Sequence, residues 1–478
     1  MKYDNASTIE PDLEQPLKYL STRNTEKTVG FKTALLAGLA PEGGLYVPTE
    51  WPQVSIGKAE ILQSYSKNAA TLMQPFLSTD IPKAVLNKIT EDAYAGFAHD
   101  EVAPLVEISE NHWLLQLFHG PTLSFKDFAL QVLARLFDYV LAQSGDRLTI
   151  IGATSGDTGS AAIAACQGRP NLDIFILHPH GRISEVQRRQ MTSVLAENVH
   201  NIAIEGTFDD CQEIVKAMFN DKPFRHDLRL AAINSINWAR ILAQVVYYHV
   251  AASRLKNEIP VFSVPTGNFG DVYAGYVAYR MGLPVKQLIV ATNQNDIMAR
   301  VLTTGRYWLE NVVPTITPSM DIQVASNFER LLFEIYDRNA KRVSECMNSL
   351  SADGGFVIDS ARLNIVRSLF KSTAIDEPTT LAEIAKIHAE TGYFVDPHTA
   401  VAVAAAREFS SLKDYTIVSL ATADPAKFPD SVERATGKRP ALPSRLAEAL
   451  VSEEHYEVLT RDVETVKAYI RLHSCFAN

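Results

Sequence analysis

Short apolar runs alternate with segments of helical periodicity along most of the chain beyond residue 102. The apolar runs are typical of buried strands, and the intervening segments have the spacing of amphipathic helices. Repetition of strand, helix and strand predicts parallel sheets covered by helices on both faces, which is an α/β architecture. The predicted strands are 148–151, 173–177, 202–205, 261–264, 287–292 and 415–420.

Helical patterns occupy much of the remaining sequence. Residues 56–97 predict helices separated by Pro52, Pro75 and Pro82, because proline interrupts a helix. Residues 301–326 lack periodicity and predict a long loop, which in a compact domain is usually functional or mobile. Further helices are predicted at 160–167, 209–220, 270–281, 328–367, 380–390, 399–409 and in the last forty or so residues.

These patterns divide the chain into three predicted units. Residues 1–100 form a mostly helical N-terminal unit with a disordered tail, and residues 101–258 form an α/β unit. Residues 259–478 form a second α/β unit that ends in helices. The length of 478 residues and the 46% hydrophobic content supply enough apolar side chains for large cores.

Charge and cysteine usage narrow the classes of function. The net charge of −10 and the pI near 5.7 argue against a nucleic acid or an anionic membrane as the main partner. The four cysteines are scattered without zinc-ligand spacing, which indicates reduced thiols. The N-terminus lacks an apolar signal region, and no apolar run approaches the length of a membrane span. A cytoplasmic protein is therefore expected.

The first chemistry-bearing segment is the loop His119–Gln131, which places Lys126 at the start of a predicted helix. Phe125 and Phe128 flank this lysine and Asp127. Desolvation would lower the pKa of the amine, and a neutral amine attacks carbonyl groups. For an isolated lysine the ordinary interpretation is a side chain that runs along an amphipathic helix with its charge in water. Two further loops favour the catalytic interpretation.

The segment Val264–Asp271 carries the clearest signal for an anion. Its sequence, Val-Pro-Thr-Gly-Asn-Phe-Gly-Asp, lies between a predicted strand and a predicted helix. Glycines allow close approach of the backbone, and the N–H groups at a helix N-terminus attract a phosphate. The segment lacks the lysine of a nucleotide P-loop and the full GxGxxG pattern. It therefore predicts the phosphate of a smaller cofactor, and a purely structural glycine turn is the alternative.

A second strand-to-helix loop, Gly152–Ser160, combines hydroxyl groups with glycines. It suits a carboxylate or phosphate held by N–H and O–H groups. Asp157 inside such a loop would repel an anion, so it either faces a cofactor hydroxyl or caps the helix. Thr422 emerges after the strand 415–420, where open α/β sheets place ligand groups.

Few basic residues are candidates for a substrate phosphate. Asn237 and Arg240 form a polar pair in an apolar segment and are preferred over the alternative cluster of Arg182, Arg188 and Arg189. The histidines 119, 178, 180 and 398 form neither a metal set nor a nucleophile triad, and most are expected to be structural.

The three loops in this order resemble the threonine synthase family. The resemblance extends from Tyr19-Leu-Ser-Thr-Arg23 to Ala421-Thr-Ala-Asp-Pro425, and the lysine loop is close to a family signature. Within the family the chain looks like the branch shared by many bacteria and fungi. The resemblance implies a fold type II pyridoxal-phosphate enzyme, with the fold of the tryptophan synthase β subunit.

The resemblance also implies roles for individual residues. Lys126 would hold pyridoxal 5'-phosphate as a Schiff base, Thr422 would meet its pyridine nitrogen, and Asp157 would lie beside its ring. The implied phosphate cradle is Gly267, Asn268, Phe269 and Gly270, and the implied cofactor contacts also include Phe125 and Asp271. The candidates for the carboxylate and phosphate of the substrate are Thr154, Ser155, Thr158, Asn237 and Arg240.

The implied reaction converts O-phospho-L-homoserine and water to L-threonine and phosphate. The Lys126 amine would remove the α-proton and then a β-proton, phosphate would leave from Cγ, and water would add at Cβ. The expected partner is this small substrate, with no metal, nucleic acid or membrane, and the protein is expected to be a monomer or homodimer.

Two other interpretations remain at the level of sequence. A dehydratase or β-replacement synthase of the same fold would share the lysine and the phosphate loop but needs no second phosphate site. A catalytically silent homologue would have no reason to retain a buried amine together with both anion loops.

Overall fold

The computed structural model describes residues 16–54, 64–255, 258–412 and 414–476. The predicted tail up to residue 15 and the helical pattern at 56–63 lie outside these ranges. No helix in the described part of the chain has the length and apolar content needed to cross a membrane.

A small antiparallel sheet opens the described chain. It contains β1 (Tyr19–Ser21), β2 (Asn24–Val29) and β3 (Tyr46–Pro48), in the order β2-β1-β3. The mostly helical prediction overlooked these strands because each is short and β2 is polar. Pro75 lies inside the helix Tyr65–Leu77, so the prediction that it separates two helices is wrong. The proline removes one main-chain hydrogen bond, and the helix continues past it to Leu77 with buried apolar side chains on both sides of it.

The larger sheet has six strands in the order β14-β11-β10-β15-β5-β4. All neighbouring pairs are parallel except β4 with β5. Its strands are almost wholly buried near the centre, as expected for a sheet covered on both faces. The strands are β4 (Leu105–Ser109), β5 (His112–Gln116), β10 (Val261–Pro265), β11 (Gln287–Thr292), β14 (Phe370–Ala374) and β15 (Ile417–Ala421).

A second parallel sheet has five strands in the order β16-β8-β7-β6-β9. These are β6 (Leu148–Ala153), β7 (Leu172–Pro179), β8 (Val199–Glu205), β9 (Leu230–Ala231) and β16 (Glu457–Thr460). A separate antiparallel pair is formed by β12 (Arg306–Trp308) and β13 (Gly355–Val357).

Helices fill the space between and around the sheets. The helices Lys126–Ser144 and Trp238–Arg254 are long and largely buried, and they lie against each other in the principal core. The other helices are Phe31–Ala37, Tyr65–Leu77, Lys83–Tyr94, Asp157–Cys166, Glu185–Thr192, Phe208–Asn220, Lys222–Asp227, Gly270–Arg280, Ile297–Thr304, Phe328–Ile335, Ala340–Asp353, Ser360–Leu369, Glu377–Thr391, Pro397–Glu408, Pro429–Thr436, Ser444–Val451 and Val463–His473.

The α/β prediction with parallel sheets is confirmed, and each predicted strand overlaps an observed one. The strand β16 lies where only helices were predicted, so that part of the prediction is wrong. The division at residue 258 remains a prediction, but two features cross it. β4 and β5 join the sheet of the later strands, and β16 joins the sheet of the earlier ones.

Candidate active site

The lysine loop connects the carboxyl end of β5 to the helix that begins at Lys126. The carboxylate of Asp127 fixes its turn by accepting hydrogen bonds from the Thr122 N–H and hydroxyl, both at 2.8 Å. Gly120 must be glycine, since a Cβ there would lie 2.5 Å from Asp127. Burial raises the pKa of Asp127 to about 6, although the bonds from Thr122 oppose this shift. The turn thus delivers Lys126 to the edge where parallel strands end.

The amine of Lys126 is buried among polar groups. Its Nζ lies 3.6 Å from Asp157 Oδ2, 3.4 Å from Ser319 Oγ and 4.8 Å from the centre of the Phe125 ring. Burial lowers the pKa of Lys126, and the charges of Lys427 and Arg240 lower it further, while the Asp157 carboxylate opposes them. The predicted lowering of the amine pKa by desolvation thus agrees with its surroundings.

The loop after β6 has a scaffold of its own. The Thr154 hydroxyl accepts hydrogen bonds from the N–H groups of Gly156 at 3.0 Å and Gly159 at 2.9 Å. Thr154 therefore shapes the loop, and its contact with substrate stays a prediction. Ser155 is exposed and Thr158 is half-buried, and their contact with substrate stays a prediction.

Asp157 does not cap its helix, so that alternative is wrong. Its Oδ1 accepts a hydrogen bond from Gln187 Nε2 at 3.0 Å and pairs with Lys427 Nζ at 2.9 Å. Burial alone would raise the pKa of this carboxyl, but the ammonium groups of Lys427 and Lys126 hold it well below its ordinary value. The side chain is thus an anion directed into the site beside Lys126.

The predicted phosphate loop lies at the carboxyl end of β10 and opens the helix Gly270–Arg280. Phe269 has a left-handed conformation, with φ of 61°. Among the described residues, no acceptor binds the main-chain N–H groups of residues 267–270. Successive free N–H groups at a helix N-terminus bind a phosphate well. A Cβ on Gly267 would lie 2.6 Å from the Ser319 carbonyl oxygen, so only glycine fits there.

Asp271 is directed into the helix start rather than toward the free N–H groups. Its carboxylate accepts hydrogen bonds from the Thr266 hydroxyl and from the Val272 N–H. Burial raises the pKa of Asp271 to about 6, against the effect of those bonds. Asp271 therefore stabilises the loop, and its direct contact with a cofactor stays a prediction.

Ser319 reaches Lys126 because a buried polar network orders its loop. Asn293, just after β11, donates from Nδ2 to Thr317 Oγ1 at 2.8 Å and to Asp321 Oδ1 at 2.7 Å. The Thr315 N–H donates to Asp321 Oδ2 at 2.9 Å. The predicted loop 301–326 thus contributes directly to the site.

A second network connects the phosphate loop to the small N-terminal sheet. The fully buried Arg330 donates to the Tyr46 carbonyl at 3.0 Å and the Ile236 carbonyl at 2.6 Å, and it also bonds to Asn327. Asn327 Nδ2 in turn donates to the Asn268 carbonyl at 3.2 Å. The position of the phosphate loop therefore depends on contacts far along the chain.

The two predicted basic clusters differ in whether their guanidinium groups form ion pairs. Arg188 and Arg189 both pair with Glu454, at 2.7 and 3.6 Å. Arg240 is buried, its Nε has no hydrogen-bond partner, and no ion pair involves it within the described ranges. Burial lowers the pKa of Arg240 to about 10, so it stays charged at neutral pH. An unpaired buried guanidinium is a receptor for an anion.

Asn237 is the N-cap of the helix Trp238–Arg254. Its side chain accepts from the Ala239 N–H at 3.1 Å and donates to the Leu35 carbonyl at 2.8 Å. Both ends of the amide are therefore occupied, and its contact with substrate stays a prediction. Thr422 is buried just beyond β15, and its carbonyl accepts from the Phe125 N–H at 2.8 Å.

No group of three His, Cys, Asp or Glu side chains within the described part of the chain is arranged to hold a metal ion. Sequence reasoning missed three polar residues of the site, namely Gln187, Ser319 and Lys427. Lys427 stands in the segment after β15, but only Thr422 was singled out there. Gln187 and Ser319 carry no local pattern.

The donor set fits pyridoxal phosphate. The free N–H groups of residues 267–270 suit a phosphate, the buried amine of Lys126 suits an aldehyde, and Thr422 offers a neutral hydroxyl. These groups come from the ends of β5, β10 and β15, which are neighbours in one sheet. They are therefore close enough for one small molecule.

Comparisons with known proteins agree with this chemistry. Residues 101–360 match the family of pyridoxal-phosphate-dependent enzymes, residues 18–94 match the threonine synthase N terminus, and residues 399–470 match the threonine synthase C-terminal family. The threonine synthase of Pseudomonas aeruginosa is 51% identical over 96% of this chain and 98% of its own length. That of Saccharomyces cerevisiae is 40% identical over 94% of this chain and 96% of its own length.

Solved structures give the same result. The crystal structure of PLP-bound threonine synthase from Brucella melitensis has a TM-score of 0.93 and 50% identity, covering 96% of this chain and all 100% of that one. The yeast threonine synthase has a TM-score of 0.91 and 38% identity, covering 97% and 99%. A tomato threonine deaminase, at 16% identity and a TM-score of 0.51, shares the fold alone.

Proposed function

The chain belongs to the threonine synthase family of pyridoxal-phosphate-dependent lyases, and from this premise we propose which of its residues carry each part of the reaction. The family resemblance, the fold type II architecture and the cofactor predicted from sequence are confirmed. The activity is that of a threonine synthase, an enzyme of amino-acid biosynthesis that acts on a small molecule.

The cofactor would bind at the strand ends. The N–H groups of Gly267, Asn268, Phe269 and Gly270 would hold its phosphate, Lys126 would hold its aldehyde carbon, and Thr422 would meet its ring nitrogen. Phe125 packs against Lys126, and Asp157 would contact the ring. When bound, pyridoxal phosphate supplies an electron-withdrawing ring that stabilises negative charge at the α-carbon of the substrate.

Lys126 carries the protons. Its Nζ, in the neutral form that burial favours, accepts the α-proton of O-phospho-L-homoserine, releases it, and then accepts a β-proton. Phosphate leaves from Cγ with the electrons of the C–O bond, and Cγ takes up a proton. Water then adds its hydroxyl at Cβ, and the α-carbon regains a proton to give L-threonine. The Ser319 hydroxyl, 3.4 Å from this nitrogen, orients the amine between proton transfers.

The observation that carries the substrate assignment is the unpaired buried guanidinium of Arg240 near the buried amine of Lys126. Its charge suits the phosphate of the substrate, with Ser155 and Thr158 donating to the remaining anionic oxygens. A dehydratase or β-replacement synthase would not need a receptor for a second phosphate. Thr154 and Asn237 support this pocket through the loop and helix start that they stabilise.

Steady-state kinetics of Arg240→Met test the assignment. Loss of a charge-assisted hydrogen bond costs about 2–3 kcal/mol, which raises KM for O-phospho-L-homoserine on the order of 100-fold. The matched control is Arg189→Met, which removes a guanidinium already paired with Glu454 and should leave KM within a factor of about two. Equal KM values for the two variants would refute the role of Arg240.

The same preparation tests the reaction itself. The protein reconstituted with pyridoxal phosphate should show an absorbance band that Lys126→Ala abolishes, and it should release inorganic phosphate from O-phospho-L-homoserine. Formation of 2-oxobutyrate from threonine without phosphate release would show a dehydratase instead.

We also propose that the protein works in the cytoplasm as a monomer or homodimer. All four cysteines are free thiols and three are buried, which suits a reducing compartment. Cell fractionation and light scattering at micromolar concentration test these two points separately, and a larger assembly would contradict the second.

A further inference from the structure

Lys427 is a second buried lysine of the site, and the reaction as proposed does not use it. It ends the short 3-10 helix Pro425–Lys427 that follows β15, and its side chain has no exposed surface. Its Nζ donates to the Thr122 carbonyl at 2.7 Å and pairs with Asp157 Oδ1 at 2.9 Å. A buried ammonium is costly without a counter-ion, so Lys427 depends on Asp157.

Asp157 is shared between two ammonium groups. Lys427 pairs with Oδ1, while Lys126 lies 3.6 Å from Oδ2. The reaction requires Lys126 to give up its proton. If Lys126 were the only counter-ion of Asp157, the carboxylate of Asp157 would then be a buried charge without a partner. Such a carboxylate would hold the proton on Lys126 instead. Arg240 and Asp271 are the other charged groups that influence Lys126.

We propose that Lys427 is a positioning residue that gives Asp157 a permanent counter-ion, so that Lys126 can lose its charge without leaving a buried carboxylate unpaired. This inference rests on the proposed roles of Lys126 and Asp157. Lys427 acts through Asp157 and not on the substrate, because its amine is enclosed and already bonded to Thr122 and Asp157.

Four full-length variants test this role: Lys427→Met, Lys427→Arg, Asp157→Asn and the double variant Lys427→Met/Asp157→Asn. The first readout is the pH titration of the cofactor absorbance band of the reconstituted protein. With Lys427 removed, the charge of Asp157 acts on Lys126 alone, so the midpoint should move to higher pH. Lys427→Arg should stay near the wild-type midpoint, and the double variant should return toward it, because it removes both charges.

The pH profile of kcat should move in the same direction, since Lys126 must be neutral in the enzyme–substrate complex to accept a proton. A purely structural lysine would lower activity equally at every pH. A titration of Lys427→Met that coincides with the wild type overturns the proposal, and so do single and double effects that merely add.

The second readout is thermal unfolding, without cofactor, of the wild type, Lys427→Met, Asp157→Asn and the double variant, which together form a double-mutant cycle. Lys427→Met should lower the unfolding midpoint because it leaves the buried Asp157 with only the more distant Lys126 as its counter-ion, and adding Asp157→Asn should recover most of the loss. If Lys427→Met alone does not fold but the double variant does, the pairing is supported. If neither folds, the pairing does not explain this lysine and the proposal is overturned.

Different results would refute the proposed function and the role of Lys427. Absence of the absorbance band in the wild-type protein would refute the proposed function and this proposal with it. A normal band that Lys126→Ala abolishes, together with an unchanged titration in Lys427→Met, would overturn only the role of Lys427.

Discussion

Gly267 lies in the phosphate loop and packs against the loop that brings Ser319 to Lys126. We expect Gly267→Ala to disable the enzyme by pushing these two loops apart. The added Cβ would lie 2.6 Å from the Ser319 carbonyl oxygen, whereas ordinary contacts begin at 3.4 Å. The two segments must therefore separate by about 0.8 Å, the difference between these distances. Overpacking of this kind costs about 1–3 kcal/mol.

The displacement matters more for catalysis than for stability. Ser319 Oγ lies 3.4 Å from the Lys126 amine, and a misplacement of about 1 Å in a catalytic arrangement can cost about 100-fold in rate. We expect Gly267→Ala to lower kcat/KM by about 10-fold to 100-fold and to weaken cofactor binding. Urea unfolding should show a loss of about 1–3 kcal/mol. Cofactor affinity is measured by titrating the cofactor-free protein with pyridoxal phosphate.

Two control variants distinguish the displacement of the two loops from the effect of an added methyl group and from the loss of the Ser319 hydroxyl. Gly96 has open space around its Cβ position, so Gly96→Ala should change stability by less than about 0.5 kcal/mol and leave kcat/KM unchanged. Ser319→Ala removes the hydroxyl without displacing the backbone, so it should affect kcat while sparing cofactor affinity. If Gly267→Ala keeps wild-type cofactor affinity and turnover, the contact between the two loops does not position the site.

Two further predictions concern stability. Thr154→Val leaves the buried N–H groups of Gly156 and Gly159 without their acceptor. The free energy of unfolding in urea should therefore fall by about 2 kcal/mol. The control Thr304→Val, on an exposed helix face, should change that free energy little. Burial lowers the pKa of His249 to about 4. As the pH falls, the imidazole therefore takes up a proton in the unfolded chain before it does so in the native state. The native state loses stability between about pH 6.5 and pH 4 for this reason. His249→Phe should remove about 3 kcal/mol of that loss when unfolding is compared at pH 7 and pH 4, and an unchanged pH dependence would contradict the neutral buried imidazole.

The geometry of the loops at 119–131 and 264–271 could be predicted because each is a local strand, turn and helix. Gly267 and Phe269 lie two positions apart in sequence, and the need for glycine and for free N–H groups is set within a few residues. The same holds for Lys126, since the burial of the helix it begins can be inferred from its apolar periodicity. Parallel strands then bring such loops to one edge of a sheet without further information.

The pairings of the site could not be predicted, because they join segments far apart in sequence. Lys427 contacts Thr122 and Asp157 across 305 and about 270 positions, and no periodicity encodes such a contact. Ser319 is delivered by buried amide and hydroxyl groups in a loop without pattern. Short strands such as β16 were overlooked for a related reason, since pairing with β8 and not their own sequence determines them.

The sheet order has a consequence for the timing of synthesis. β15 lies between β10 and β5, so the hairpin of β4 and β5 has no contact with the later strands until residues 417–421 have left the ribosome. About 300 residues separate β5 from β15, and at roughly 5–20 residues per second their synthesis takes roughly 15–60 seconds. During this interval one side of β5 lacks its permanent neighbour and is open to pairing with other chains. The nascent protein should therefore engage chaperones until β15 has been synthesised, and truncation before residue 417 should yield aggregates and not a partly active enzyme.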